Sequence, residues 1–221
     1  MISKLPRWAW FGAWVLAFIA GMINVVGLLG FKHQAVTHLT GTTSMFAAAI
    51  AGMNGSDALH LGAIISSFVL GTVLSGFLIQ DSTLQLGRRY GAALILETLL
   101  LCAAVPLLQR HSLLGDYFAS CACGLQNAMV STFSGAVVRT THLSGMFTDL
   151  GIAIGHAIRG LTVDWRRSRL YGLIISAFLT GGIAGGAAFP HLGYSTLFIP
   201  AALTGFAAFS YSVYHVKKSV C

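Results

Sequence analysis

Two short polar stretches hold most of the side chains from which this chain could build chemistry. VTHLTGTTSMFA (36–47) and TTHLSGMFTDLG (140–151) share a Thr-His-Leu-(Thr/Ser)-Gly core. Thr40 and Ser144 each precede a glycine and a run of helix formers, the setting of an N-cap whose oxygen accepts from an orphan backbone N–H. Two helix N-termini carrying partial positive charge also suit an anion or a polar solute, with Gly41, Thr42, Gly145 and Thr148 in the same turns. His38 and His142, two residues ahead of those caps, either hydrogen-bond the turns or contact solute and handle protons.

Asp149 lies about one turn into the second short helix, where the first half has Met45. An ionisable group at membrane depth is costly and reads as functional by default. The alternative is a salt bridge to Arg139 or another loop arginine. His156 follows two turns along the same face. Glu97, in ALILETLLLC, is either a proton-binding site or a protonated group hydrogen-bonded to a neighbouring helix. Asn24, Gln126 and Asn127 offer neutral donors and acceptors that line a path or tie helices together.

The elements that must carry these groups are membrane helices. Of 221 residues, 56% are hydrophobic and only 9% charged, far below the roughly one quarter charged of soluble chains. Apolar runs near 20 residues long, enough for about 30 Å of hydrocarbon, occupy 8–29, 59–79, 90–108, 117–137, 170–189 and 194–214. The first run reads as a retained helix, since no clean small-residue cleavage site follows it. Cys102, Cys121, Cys123 and Cys221 read as packing residues, not as a disulfide framework or a zinc site. The net charge of +7 is scattered among short loops, which suits anionic lipid and not nucleic acid. No nucleotide loop, metal-ligand cluster or nucleophile elbow is present in the sequence, and no cofactor is expected.

Internal repetition extends well beyond the two polar stretches. AGMIN (20–24) answers CGLQN (123–127), and FVLGTVLSG (68–76) answers FLTGGIAGG (178–186). The small residues of the latter pair recur every four positions, a pattern of close helix packing. Repeat one spans about 8–108 and repeat two about 114–215, each with a long helix, a short one (about 41–52 and 145–160) and two more long ones. If the short helices do not cross, a cytoplasmic N-terminus leaves only Lys32 and Arg110 of the 13 Lys and Arg outside. If they cross, Lys32, Arg88, Arg89 and Arg139 all fall outside, which weakens the positive-inside bias. The expected fold is therefore all-α and integral to the membrane, a single polytopic domain over 1–221. It has six transmembrane helices in two inverted three-helix repeats, each with a short re-entrant or broken helix, and both termini cytoplasmic. The two short-helix N-termini are expected to meet from opposite faces, because polar backbone at depth must be buried in protein or line a cavity.

GMINVVGLLGFKHQAVTHLTGTTS (21–44) and GLQNAMVSTFSGAVVRTTHLSGMFTDLG (124–151) resemble the YoaK family of bacterial inner-membrane proteins, a domain of unknown function of about this length. The resemblance implies the bacterial inner membrane as the location. Many members have aspartate where this chain has Asn24, and Thr-Gly-Asn where it has Thr40-Gly41-Thr42, so acidic ion coupling at position 24 is not carried over.

The leading functional expectation is a secondary transporter or channel for a small polar or anionic solute, proton-coupled through Asp149 or Glu97. An intramembrane enzyme using His38, His142 and Asp149 is the alternative, as is a non-transporting scaffold or lipid-binding protein. The expected partners are membrane lipid and an unidentified small solute, with homo-oligomerisation left open and no nucleic acid.

Overall fold

The computed structural model describes residues 6–79, 88–135 and 138–220. Lys4, Cys221 and the end of the fourth apolar run at Val137 lie outside them. Within the described residues the long helices are α1 (Arg7–Leu29), α3 (Gly55–Leu78), α4 (Arg88–Gln109), α5 (Leu114–Ser134), α7 (Trp165–Leu192) and α8 (Phe198–Val220). The short ones are α2 (Leu39–Ala51) and α6 (Leu143–Ile158). A 3-10 turn, Gly193–Leu197, joins α7 to α8, and Gly193 enters it at φ 56°, a conformation that glycine adopts without steric cost.

Side-chain caps restart the chain after each short helix. Asn54 Oδ1 accepts from the Asp57 N–H at 3.2 Å to open α3, and Asp164 Oδ1 accepts from the Arg167 N–H at 3.1 Å to open α7. Among the described residues, four segments are long and apolar enough to cross a membrane: Trp8–Leu29, Gly55–Leu78, Arg89–Gln109 and Trp165–Tyr211, the last running through α7, the 3-10 turn and α8. These long apolar helices mark an all-helical, membrane-embedded protein. The run expected over 117–137 is not among the four. The reason is positional: α5 lies against α1, α3 and α4, and Ala119 through Gln126 are all buried. A helix shielded by protein need not be apolar toward lipid.

Lipid tails are as apolar as leucine, so close packing and hydrogen bonds must hold such helices together. Glycine supplies the close packing at both main crossings. A Cβ on Gly21 of α1 would fall on the Phe178 carbonyl oxygen of α7, and one on Gly181 on that of Phe18. At the other crossing, a Cβ on Gly124 of α5 would strike the Phe68 carbonyl oxygen of α3, and one on Gly71 that of Cys121. These are the positions at which the sequence repeat aligns the two halves.

Among the helices, α2 packs on α3 alone and α6 on α7 alone, so the two short helices share no contact. Their N-termini do not meet within one chain, contrary to the sequence-based expectation. Each presents one narrow face to its neighbour: Thr42, Phe46 and Ala49 in α2, and Met146, Ala153 and Ala157 in α6, are less exposed than the residues around them.

Candidate functional site

A polar seam follows the central helix. Asp116, Ser120, Cys123 and Asn127 stand at intervals of four, three and four residues, which places them along one face of α5. The Ser120 hydroxyl lies 3.3 Å from the Val36 carbonyl and 3.0 Å from that of Ile64, tying the segment ahead of α2 and the body of α3 to the seam. At mid-helix, Gln126 Nε2 donates to Glu97 Oε1 at 2.8 Å. Glu97 is 0% exposed, and its Oε2 has no hydrogen-bond partner among the described residues. The structure thus brings Glu97 and Gln126 together at the α4–α5 contact, where an ionised carboxylate would have, among the described residues, one neutral donor and no cation.

The segment ahead of α2 is pinned to α1. Asn24 Oδ1 accepts from the Thr37 N–H at 3.3 Å and from its hydroxyl at 2.7 Å. Gln34 Nε2 donates to Thr42 Oγ1 at 3.1 Å, and the Thr42 hydroxyl turns toward the His38 carbonyl at 3.1 Å. In the second half, Asn127 Oδ1 and the Thr140 hydroxyl are buried with no hydrogen-bond partner among the described residues.

Thr40 and Ser144 are not the N-caps that the sequence suggests. The helices start two residues earlier, so His38 and His142 hold the cap positions, and neither makes a side-chain cap bond. Thr40 and Ser144 are exposed in the first turn, and their carbonyls accept from Ser44 Oγ and Thr148 Oγ1, each at 3.0 Å. The glycines have a steric purpose here. A Cβ on Gly41 would lie 2.7 Å from His38 Nδ1, and one on Gly145 would collide with His142 Nε2. Each imidazole folds back over the glycine three residues on.

Asp149 accepts from Arg167 Nη2 at 2.9 Å, an ion pair made with an α7 arginine and not with Arg139. Arg167 Nε also donates to the Tyr171 hydroxyl at 2.8 Å. Both charged side chains are substantially open, at 39% and 51% exposure. With His156, Asp164 and Tyr171 they line a cleft of about 150 Å³.

A further cluster was not singled out from the sequence. His60 on α3 and Asp116 in the first turn of α5 are both buried, with His60 Nε2 4.0 Å from Asp116 Oδ2. His60 Nδ1 lies 3.1 Å from the Tyr117 hydroxyl. Asp116 stands just ahead of the 117–137 run. Each residue sits at the edge of an apolar run, where a polar side chain looks like part of a loop.

Comparison with curated proteins and with solved structures gives no match. A family model described as "Protein of unknown function (DUF1275)" matches residues 12–210. With nearly its whole length matched, and in keeping with the YoaK-like motifs, the chain belongs to the DUF1275 family of proteins of unknown function.

Proposed function

We propose that the protein is a secondary transporter or channel for a small polar or anionic solute in the bacterial inner membrane, with proton coupling through Glu97. In this reading six helices cross, α5 included, the halves are inverted, and both termini are cytoplasmic. The observation that carries it is Glu97 itself, a fully buried carboxyl in an apolar helix whose hydrogen-bond partner is the neutral amide of Gln126. Burying such a group costs stability unless it is fully paired, so a half-paired one reads as functional by default. The matching glycine crossings of α1 with α7 and of α5 with α3 support the duplicated halves.

The test begins with purified protein screened for thermal stabilisation by anions, amino acids, nucleobases and small organic acids. The stabilising solute is then loaded into proteoliposomes containing a pH-sensitive dye. Solute-driven proton movement in the wild type, lost in Glu97→Gln while solute exchange persists, is the expected result. Proton movement that survives Glu97→Gln would remove the coupling role.

A further inference from the structure

His60 and Asp116 bring two elements together at one end of the molecule, where the 30–38 segment meets the α4–α5 turn. Both are more than nine-tenths buried, at 6% and 5% exposure. The two facing atoms, His60 Nε2 and Asp116 Oδ2, each lack a hydrogen-bond partner among the described residues. At 4.0 Å they are just too far apart to bond, and a closure of about 1 Å would bring them to hydrogen-bond distance. On its other side the imidazole meets the Tyr117 hydroxyl at 3.1 Å. A hydroxyl both donates and accepts, so the ring can exchange tautomers without losing that partner.

We propose that His60 and Asp116 form a proton-binding station, with Tyr117 as the positioning residue that holds the imidazole. With the carboxylate ionised and the imidazole neutral, the pair carries one negative charge. Uptake of one proton, bound to Asp116 Oδ2 or to the lone pair of His60 Nε2, brings the pair to neutrality and closes the gap.

The surrounding charges are consistent with this. Lys32, exposed on the 30–38 segment, acts on both members of the pair, and Asp57 acts on His60 from one turn earlier in α3. Tyr194 of the 3-10 turn lies within the field of Asp116. From the α4–α5 turn, Arg110 and His111 remain exposed, with His111 stacked on Phe31 at 5.3 Å. Ser120, one turn further along the seam, continues toward Glu97. The use of the station to feed protons inward rests on the proposed transport function, whereas its existence does not.

Infrared titration of the full-length protein in detergent tests the station without transport. The carboxylic C=O band that disappears in Asp116→Asn is followed across pH, and the His60 ring nitrogens are followed by NMR in the same samples. One shared site predicts that both signals change together over the same pH interval. It also predicts that His60→Gln shifts the Asp116 midpoint by about one pH unit, a tenfold change in proton affinity. Independent titrations, or an Asp116 midpoint unmoved in His60→Gln, would overturn the station. If His60→Gln does not fold, the exposed-site variant Lys32→Gln decides: a raised Asp116 midpoint supports the site, and an unmoved one refutes it. A shared titration in a protein that moves no protons in liposomes retains the station and rejects the transport reading, so the two fail separately.

Discussion

Ahead of α2, Asn24 accepts both the N–H and the hydroxyl of Thr37, whereas ahead of α6 the matching Asn127 Oδ1 is buried without a partner among the described residues, as is the Thr140 hydroxyl. The neighbouring positions differ in the same direction. Gln34 and Thr42, hydrogen-bonded to each other, are answered by Val138 and Met146, both buried and apolar. Positions that match in the sequence therefore reach two levels of polar satisfaction. A buried acceptor left open costs roughly 1–3 kcal/mol. That cost is offset if a solute donor or an ordered water occupies the position, so the second half is the better place to look for solute contact.

The glycines that match in the sequence give the largest expected effects. Gly21→Ala and Gly124→Ala each drive a methyl into a backbone carbonyl that cannot move without parting two helices. Each should cost about 3 kcal/mol, the upper end for overpacking, measured as loss of thermal stability in detergent. Equal losses would support a common role for the two crossings. A tolerated change in one half would break the correspondence there.

The polar difference predicts a smaller and unequal pair. Asn24→Ala strands the N–H and hydroxyl of buried Thr37 and should cost about 2 kcal/mol. Asn127→Ala removes an oxygen that has no partner among the described residues and should cost less than about 1 kcal/mol, while weakening stabilisation by whichever solute the screen identifies. Equal destabilisation would show that Asn127 is as firmly tied as Asn24, and would remove the contrast.

Much of this architecture was legible from the residues. The apolar runs marked the long helices, and the four-residue spacing of Gly71 with Ser75 and of Gly181 with Gly185 marked close packing. Glu97 stood out because a carboxyl in the middle of an apolar run has few bland explanations. The helix starts lie two residues ahead of the expected ones, because serine and threonine are the usual caps and the imidazole-over-glycine arrangement leaves no signature beyond the glycine itself. The separation of α2 from α6 was hidden, since a repeat aligns positions within halves but says nothing about where the halves touch. His60 and Asp116 were missed for a related reason: they are 56 residues apart, at run edges, and only the α3–α5 crossing makes them neighbours.

The smallest effect is expected at Asp149, the residue that the sequence made most prominent. Its pairing with Arg167 is open to solvent on both sides, and such pairs contribute about 0.2–1 kcal/mol, less at high salt. Asp149→Asn should therefore lower thermal stability only slightly, and the loss should shrink further as ionic strength rises. Its effect on proton movement distinguishes two uses of a carboxylate in a membrane protein. If proton movement persists in Asp149→Asn and fails in Glu97→Gln, the exposed acid joins α6 to α7 and the buried one does the coupling. If Asp149→Asn abolishes it instead, the cleft lined by His156 and Tyr171 belongs to the pathway, and the asymmetry between the halves extends from hydrogen bonding to chemistry.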